Sequence, residues 1–376
     1  MILANAVIVD EDFKLRRCDL RIEGEKITEI GEGLTGEEIL DLDGMYIMPG
    51  FIDTHIHGAC GTRISDENAD LGQITRFEAT QGVTGIAITT ACSEFSRLLQ
   101  QIDSAVEAAG KPDGAKIAGI HAEGPFINPK RKGAMSVEYI LNPDTEKFDR
   151  MLEHGKGLLK IMTVAPEIPG ATTLIKYAVD KGVAVSLGHT DATYEQARAG
   201  IEAGSSQSTH TFNAMRAYNH REPGILGAVL TSPEVTCEMI CDYVHLHPAT
   251  VEMIYRLKQA DHIRMVSDSG HAAGLHVTEF EVDGVMRYVK DGVVRLADGT
   301  IAGSAKTLLD GVKNLLAAGI PMGDVAQMAS YNPAKSLKIE HTTGSIAVGK
   351  YADLVVLNKD YDVEYTFVNG KCVYQS

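Results

Sequence analysis

Two histidines one residue apart follow an apolar run near the start of the chain, in the segment GFIDTHIHGACGT at positions 50–62. In a β-strand, residues i and i+2 point to the same face, so the imidazoles of His55 and His57 are expected to project together from a strand end. Two such imidazoles can share a metal ion, although two histidines can also lie unliganded on a surface loop. The pair is therefore a candidate metal site that other residues must complete.

Four further residues of metal-ligand type stand where later apolar runs end. They are Glu123 in HAEGPF, His189 in SLGHT, His210 in STHTF and Asp268 in VSDS. Taken singly, each has an ordinary interpretation as a hydrogen-bonded loop residue, a helix cap or a turn residue. Taken together with the histidine pair, that interpretation requires six coincidences. We therefore predict that these six residues hold one or two divalent ions, with Zn²⁺ favoured and Fe²⁺, Mn²⁺ or Co²⁺ as alternatives.

The elements that would position these residues alternate along the middle of the chain. Eight β-rich runs end in polar residues, and helical patterns such as those at 95–110, 171–182 and 192–204 lie between them. The runs are YIMPGFIDTHIH, GIAITTA, KIAGIHAEG, LKIMTVAPE, VAVSLGHT, QSTHTFNA, TCEMICDYVH and IRMVSDS. This pattern favours an α/β fold of the (β/α)8, TIM-barrel type over an open doubly wound sheet. In such a barrel the six residues would meet at the carboxyl ends of the strands.

The two ends of the chain both consist of short strands. MILANAVIVD, CDLRIEG and KITEIGEG stand at the start, and ADLVVLN, VEYTFVNG and KCVYQS stand at the end, with a hairpin signature at Asn369-Gly370. Neither end alone can bury a sheet face, so we predict one discontinuous β-domain of residues 1–48 with 340–376. Residues 49–339 would form the barrel, with a β-excursion at about 276–302 whose Asp-Gly turns begin at Asp283, Asp291 and Asp298.

Composition and charge argue against several classes of protein. The formal net charge of −16 at pH 7 argues against nucleic acid or an anionic membrane as a partner. The six cysteines show neither a disulfide framework nor a zinc spacing. The sequence contains no signal-peptide pattern at its start and no apolar run long enough to span a bilayer. We expect a cytoplasmic protein that acts on a small molecule.

The segments HIHG, HAEGPF, LGHT, THTFNAM, HREPG and SDS resemble the N-acetylglucosamine-6-phosphate deacetylases of the amidohydrolase superfamily. His-x-His is general to the superfamily, whereas HAEGPF with THTFNAM and HREPG is far more specific. The resemblance extends over essentially the whole chain, including GSIAVGKYADLVVLN near its end. It implies hydrolysis of the acetamide of N-acetyl-D-glucosamine 6-phosphate, or of a close N-acetylhexosamine 6-phosphate, to the amino sugar phosphate and acetate in amino-sugar catabolism.

The resemblance also implies how the metal residues divide. Glu123, His189 and His210 would hold the site common to these deacetylases. His55 and His57 would hold a second ion, with Glu123 bridging the two. Some relatives lack the histidine pair and use one ion, whereas this sequence keeps both histidines and so has the ligands for a second ion, with the number of ions bound, one or two, left open.

Two residues would carry the chemistry under this assignment. Asp268, also a metal residue, would be the general base toward the attacking water and then the acid toward the departing amine. His245, in DYVHLHP, matches the family histidine that contacts substrate and stabilises the developing oxyanion. His247 shares a strand face with it by spacing and is the weaker candidate.

The remaining contacts implied by the resemblance concern the sugar phosphate and the amide. Arg221 in HREPG matches the phosphate contact, and in the homodimer that the resemblance implies it can reach the other subunit's substrate. Arg216 in the same loop is interpreted as an exposed, solvated arginine. The other substrate-binding residues are Ala134, Met135, Asn213, Ala214, His245, Ile301, Ala302 and Gly303.

One position departs from the family pattern, and two other functions stay open. Where many relatives have a polar residue that contacts sugar hydroxyls, this chain has Met135, which cannot donate a hydrogen bond, so the sugar epimer is undecided. The first alternative function is hydrolysis of another N-acyl or cyclic amide, although LKIMTVAPE ends without the lysine common in cyclic-amide hydrolases. The second is a non-catalytic assembly barrel, which would be expected to have lost metal ligands.

Overall fold

A computed structural model describes residues 1–282 and 284–376. Its centre is a ring of eight parallel strands, β1 to β8 in chain order, each hydrogen-bonded to the next. They span Phe51–Ile56, Val83–Thr90, Lys116–Glu123, Leu159–Val164, Ala184–Leu187, Gln207–Ser208, Thr236–Ile240 and Ile263–Val266. A parallel bridge between Ile56 and Ser269 joins β1 to the segment after β8 and closes the ring. The predicted (β/α)8 barrel is confirmed.

A helix follows each barrel strand and covers the outside of the ring. These helices, α1 to α8, span Leu71–Thr80, Phe95–Ala109, Thr145–Gly155, Ala171–Asp180, Tyr194–Glu202, Gly224–Thr231, Pro248–Lys258 and Leu308–Ala317. In α2, Leu98 and Ile102 are four residues apart, so they lie on one face, and both are buried in the main core. The helix α5 begins with a capping box between Thr193 and Gln196.

Short helices connect these elements and close one end of the barrel. They are the 3₁₀ turns Pro129–Arg131, Val137–Tyr139 and Ala260–His262, the π-helix Gln327–Tyr331, and the α-helices Met322–Ala326 and Asn332–Leu337. In the last of these, Ala334 and Leu337 pack against Ile52 and Ile161. Because those two isoleucines lie near the amino ends of β1 and β4, this helix closes the end opposite the predicted site.

Strands from both termini form one sheet, as predicted. Seven strands follow the order Lys371–Gln375, Val363–Val368, Leu354–Leu357, Tyr46–Pro49, Ile2–Val9, Leu15–Glu23 and Lys26–Gly31, and Ile39–Asp41 also pairs with Ile2–Val9. The predicted hairpin turn is confirmed, since Asn369 and Gly370 have φ of 49° and 73° between two antiparallel strands. Leu20, Ile47 and Phe367 are among the residues that give this sheet its own core.

The run YIMPGFIDTHIH, predicted as a single strand of the barrel, is divided at Gly50. Tyr46–Pro49 lies in the terminal sheet, and β1 begins at the next residue after the glycine. A Cβ atom at Gly50 would lie 2.1 Å from Cγ2 of Thr84, so a side chain cannot be accommodated there. The glycine therefore lets one continuous segment pass from the sheet into the barrel.

A four-stranded antiparallel sheet follows β8. Its strands span Glu279–Val282, Val285–Lys290, Val293–Leu296 and Ile301–Ser304. Asp291 and Gly292 form a left-handed turn with φ of 55° and 77°, whereas the turn predicted at Asp283 lies outside the described residues. A two-stranded hairpin of Gly58–Ala59 and Thr62–Arg63 follows β1. Within the described ranges, none of the helices has the length and apolarity needed to cross a bilayer.

Candidate metal centre

Glu123, His189 and His210 form the first group of metal-ligand residues at the carboxyl end of the barrel. Oε1 of Glu123 is 2.9 Å from Nε2 of His189 and 3.0 Å from Nε2 of His210, and the two ring nitrogens are 3.1 Å apart. Around a tetrahedral Zn²⁺ with bonds of about 2.05 Å, neighbouring donor atoms are about 3.3 Å apart. The three atoms therefore fit the ligand set of one such ion.

His55, His57 and Asp268 form a second group beside the first. Nε2 of His57 lies 3.2 Å from Nε2 of His55 and 3.4 Å from Oδ1 of Asp268. It also lies 3.2 Å from Oε2 of Glu123, the oxygen that the first group does not use. The carboxylate of Glu123 thus stands between the two groups, where it can bridge two ions.

Three of the six predicted metal residues, and two residues of the loop after β6, have a backbone in the left-handed region. His189, His210 and Asp268 have φ of 47°, 28° and 50°, and Phe212 and Ala214 in the loop after β6 have φ of 82° and 50°. Few non-glycine residues adopt positive φ, and those that do cluster at functional sites. The chain therefore turns sharply at the positions that aim these side chains into the barrel mouth.

Electrostatics in the cluster favour positive charge. Burial alone would raise the pKa of Glu123, but His55 and His189 outweigh it and hold the pKa well below its usual range, so the carboxylate is ionised. Burial alone would lower the pKa of His55, but Glu123, Glu238 and Asp268 raise it well above the usual value. The carboxylates that stabilise protonated imidazoles also stabilise a divalent cation that binds in place of those protons.

Hydrogen bonds at Nδ1 orient two of the predicted ligands. Nδ1 of His55 lies 3.1 Å from Oε2 of Glu238, and Nδ1 of His189 donates to the carbonyl oxygen of Arg131 at 2.7 Å. Such contacts place the ring proton on Nδ1 and leave Nε2 as the donor to a metal. In both His55 and His189, a protein group therefore holds Nδ1 and leaves Nε2 available to bind a metal ion.

His121 does not belong to the metal ligands. It lies inside β3 and is fully buried. Its Nδ1 donates to the carbonyl oxygen of Thr54 at 3.1 Å, and its Nε2 accepts from the hydroxyl of Thr163 at 2.8 Å. Burial and the charge of His55 lower its pKa to about 3, so the ring is neutral. His121 supports the layer of side chains below the cluster.

Glu238 and Arg264 were not predicted from the sequence. They are register partners on β7 and β8, and their side chains form a fully buried ion pair. A signal for them does exist, because each is a lone charged residue in an apolar run, in TCEMIC and in IRMV. Opposite charges in consecutive buried strands indicate a pair, since an unpaired buried charge is costly.

His245 lies in the loop after β7, beside Asp242. Its Nδ1 is 2.7 Å from Oδ2 of Asp242, and its Nε2 has no hydrogen-bond partner within the described residues although the side chain is 2% exposed. The strand ends at Ile240, so the predicted shared strand face of His245 and His247 is wrong. His247 instead caps α7, with Nδ1 accepting from the N–H of Ala249 at 3.1 Å.

The turn that carries Ala134 and Met135 lies against the first group. A Cβ atom at Gly133 would be 3.4 Å from Cε1 of His189. Nζ of Lys132 donates to the carbonyl oxygens of Gly133 and Met135 at 3.2 and 3.1 Å, which closes the turn. The turn that carries the methionine predicted to contact the sugar therefore approaches His189 at Gly133.

The last strand of the four-stranded sheet, Ile301–Ser304, contains Ile301, Ala302 and Gly303 and lies beside Asp268. The N–H of Ser304 donates to the carbonyl oxygen of Asp268 at 2.9 Å. A Cβ atom at Gly303 would be 3.5 Å from that same oxygen. Residues 301–303, which were predicted to bind substrate, therefore lie at the barrel mouth. The other three strands of the sheet lie between β8 and these residues in the sequence.

Arg216 and Arg221 occupy different environments in the loop after β6. Nε of Arg216 donates to the carbonyl oxygen of Asp191 at 2.8 Å, so its interpretation as a solvated arginine is wrong. Arg221 is exposed, and its backbone N–H donates to Oδ1 of Asn219 at 2.9 Å. Its guanidinium forms no ion pair with the part of the chain that is described, and Nδ2 of the buried amide of Asn213 likewise has no partner there.

Comparison with known proteins agrees with this geometry. Residues 46–373 match the amidohydrolase family. An N-acetylglucosamine-6-phosphate deacetylase of Lysinibacillus sphaericus is 32% identical over 100% of this chain and 98% of the relative, and an N-acetylgalactosamine-6-phosphate deacetylase of Escherichia coli O157:H7 is 31% identical over 89% of each. A mutant N-acetyl-D-glucosamine-6-phosphate deacetylase from Mycobacterium smegmatis, solved with N-acetyl-D-glucosamine 6-phosphate, superposes with a TM-score of 0.93 at 30% identity, covering 100% of this chain and 99% of that one.

Proposed function

The chain belongs to the amidohydrolase family, and we propose that it hydrolyses the acetamide of N-acetyl-D-glucosamine 6-phosphate or of a close N-acetylhexosamine 6-phosphate. The products are the amino sugar phosphate and acetate. The observation that carries the proposal is the pair of metal-ligand groups that share Glu123 at the barrel mouth. The relatives and solved structures named above support the choice of substrate, since they act on or bind this class of sugar phosphate.

The metal residues fit divalent ions held by imidazole and carboxylate donors. Glu123, His189 and His210 would hold one ion, and His55 and His57, with Asp268 and the second oxygen of Glu123, would hold another. Nitrogen and oxygen donors at tetrahedral spacing favour Zn²⁺, with Fe²⁺, Mn²⁺ and Co²⁺ as alternatives. A bound ion supplies a water of lowered pKa and polarises the acetyl carbonyl.

Proton transfer falls to Asp268. Its Oδ1 lies 3.4 Å from Nε2 of His57, so a water held by the metal residues is within its reach. The carboxylate takes the proton of the attacking water and then delivers it to the amine nitrogen, which cannot leave as an anion. Backbone contacts from Ser304 to Asp268 hold this residue in its left-handed conformation during both steps.

Binding and orientation of the amide fall to His245 and the loop after β6. Asp242 accepts from Nδ1 and fixes the ring of His245, so that in the imidazolium form Nε2–H donates to the acetyl oxygen as negative charge develops there. Asn213 offers an unpaired amide donor in the same region, next to the Ala214 backbone. These groups are fixed before substrate binds, so little reorganisation opposes the reaction.

Recognition of the phosphate falls to Arg221, and we propose that it acts within a homodimer. The residue is exposed on a loop whose bridge between Asn219 and Glu222 projects it from the barrel. A guanidinium that lacks an ion pair within the described residues is free to bind phosphate with two parallel hydrogen bonds. An exposed position of this kind suits a contact with a substrate bound in a neighbouring subunit.

The experiment that tests the proposal is an acetate-release screen on enzyme of known metal content. N-acetylglucosamine 6-phosphate, N-acetylgalactosamine 6-phosphate, the unphosphorylated sugars, an N-acetyl amino acid and a cyclic amide are compared at equal concentration. We expect the 6-phosphorylated sugars to have the highest kcat/KM, and activity to be lost with a chelator and restored with Zn²⁺. Preference for the amino acid or the cyclic amide would contradict the proposal.

A further inference from the structure

Glu238 contacts a residue of each metal group from below. It lies in the middle of β7 and is fully buried. Its Oε2 is 3.1 Å from Nδ1 of His55 and accepts the backbone N–H of His210 at 2.8 Å. One carboxylate oxygen thus touches the ring of a residue in the second group and the backbone of a residue in the first.

The other oxygen of Glu238 is held by Arg264 in an ion pair whose two side chains are both 0% exposed. Because the guanidinium is a permanent cation, it keeps the buried carboxylate ionised. An ionised carboxylate accepts hydrogen bonds and cannot donate one. His55 must therefore carry a proton on Nδ1, which leaves the lone pair of Nε2 directed toward His57 at 3.2 Å.

We propose that Glu238, held by Arg264, is the positioning residue that fixes the ring orientation and the tautomer of His55 and thereby sets the affinity of the second metal ion. The inference rests on the two-ion site of the proposed function. Loss of a partner that orients a metal-ligating histidine weakens metal binding by about 10- to 100-fold. The first ion should be affected less, because Glu238 touches the backbone of His210 and not its ring.

Two variants separate positioning from the burial of charge. Glu238→Asp keeps the charge beside Arg264, but the side chain is one methylene shorter and cannot reach both Arg264 and His55. Glu238→Gln keeps the length but turns an amide donor either toward Arg264 or toward His55 and the N–H of His210. Metal-free protein is titrated with Zn²⁺ against a chromophoric chelator, and the two dissociation constants are measured in the absence of substrate.

The matched control is Glu78→Gln. Glu78 is also a fully buried glutamate, on α1, and neither of its carboxylate oxygens has a hydrogen-bond partner within the described residues. We expect this control to bind both ions as wild type does. Glu238→Asp and Glu238→Gln should bind the second ion about 10- to 100-fold more weakly, with a smaller change for the first ion.

Three outcomes would overturn the inference. The first is wild-type affinity for the second ion in either Glu238 variant. The second is equal weakening of both ions together with a lower unfolding temperature of the metal-free variants, which is the behaviour of a purely structural ion pair. The third is a wild-type protein that binds a single ion. If that single-ion enzyme still releases acetate, the inference fails but the proposed reaction is retained.

A measurement on the wild-type protein covers the case in which neither variant folds. With ¹⁵N-labelled histidine, the Zn²⁺-loaded protein should show a ring with a proton on Nδ1 and a metal on Nε2 that disappears in His55→Ala. The opposite tautomer at His55 would also overturn the inference, because an ionised Glu238 could then receive no proton from Nδ1.

Discussion

The ring of His189 is held by the backbone of Arg131, whose carbonyl oxygen accepts from Nδ1 at 2.7 Å. A metal residue after β5 therefore depends on the loop after β3. The side chain of Arg131 returns the contact, since it donates to Asp191, two residues beyond His189, at 3.0 and 2.7 Å. Because that same loop carries Met135, the turn predicted to bind the sugar and the first metal group form one connected unit.

Replacement of Asp268 by asparagine should reduce turnover by about 10² or more while two metal ions stay bound. The amide can still occupy the position beside His57, but it cannot accept and return a proton. Steady-state kcat is measured together with metal content by elemental analysis. Near-normal kcat in Asp268→Asn would remove this residue from proton transfer.

Changes at the metal residues should affect the metal count differently. Glu123→Gln and His189→Ala should lower bound metal and activity together, because both residues belong to the first group and Glu123 touches both groups. His55→Ala should remove one equivalent and retain the other. Elemental analysis after dialysis against a defined Zn²⁺ buffer measures this, and an unchanged metal content in all three variants would refute the assignment.

Replacement of Arg221 by alanine should raise KM strongly for a 6-phosphorylated substrate and change activity on the unphosphorylated sugar little. A charged hydrogen bond to phosphate contributes about 1.5–3 kcal/mol, which the unphosphorylated sugar cannot use. Arg256→Ala is the control, since Arg256 is an arginine on the outer helix α7 whose side chain is 75% exposed. Equal losses on both sugars would mean that Arg221 has a structural role.

Replacement of Met135 by histidine should sharpen the discrimination between gluco- and galacto-configured N-acetylhexosamine 6-phosphates. A polar site rejects the wrong epimer because its own hydrogen-bonding groups are left unpaired, whereas an apolar wall rejects it weakly. We expect the ratio of the two kcat/KM values to change by about 1 kcal/mol or more, the net contribution of one hydrogen bond. An unchanged ratio would mean that residue 135 does not touch the sugar.

Replacement of Glu78 by glutamine should stabilise the protein more as the pH rises. Burial, and then the nearby charge of Asp53, raise the pKa of Glu78 well above its usual value. The folded state therefore keeps a proton that the unfolded chain releases above about pH 4.3, so the stability contributed by protonated Glu78 is complete below that pH and falls above it. Glutamine stays neutral at every pH.

Thermal unfolding of the metal-loaded proteins measures this effect. The Tm values of wild type and Glu78→Gln should be close near about pH 4.5 and should differ, with the variant higher, at about pH 8. The groups that face Glu78 electrostatically include Asp53, whose pKa burial raises to about 6, and Cys60, whose pKa is raised chiefly by burial. A Tm difference that does not vary with pH would contradict the assignment of a neutral Glu78.

The barrel and the grouping of metal residues followed from sequence because both depend on patterns local to each strand. His55, Glu123 and His189 each end an apolar run, and the carboxyl ends of parallel strands meet at one edge. Strand lengths were overestimated, as in QSTHTFNA, where the strand is Gln207–Ser208 and the remainder turns through left-handed conformations. Such turns leave little trace in hydrophobic periodicity.

Residues that act through other residues were the ones that sequence reasoning missed or misjudged. Glu238 contacts His55 across 183 residues of chain, and the pairing of Arg216 with Asp191 joins two separate loops. Neither contact has a fixed spacing or a motif, because it is set by strand register and loop packing. The division of YIMPGFIDTHIH at Gly50 was missed for the same reason, since Thr84, which requires the glycine, lies on the neighbouring strand.

The passage of one segment from the terminal sheet into β1 has a consequence for synthesis on the ribosome. Tyr46–Pro49 pairs with Leu354–Leu357, which leaves the ribosome only after the barrel strands and helices have been synthesised. Until then, the strand that leads directly to His55 keeps an unpaired edge. A chain that terminates before Leu354 would therefore display an open strand edge to chaperones and proteases, and the segment that leads to the histidine pair is fully paired only once Leu354–Leu357 has been made.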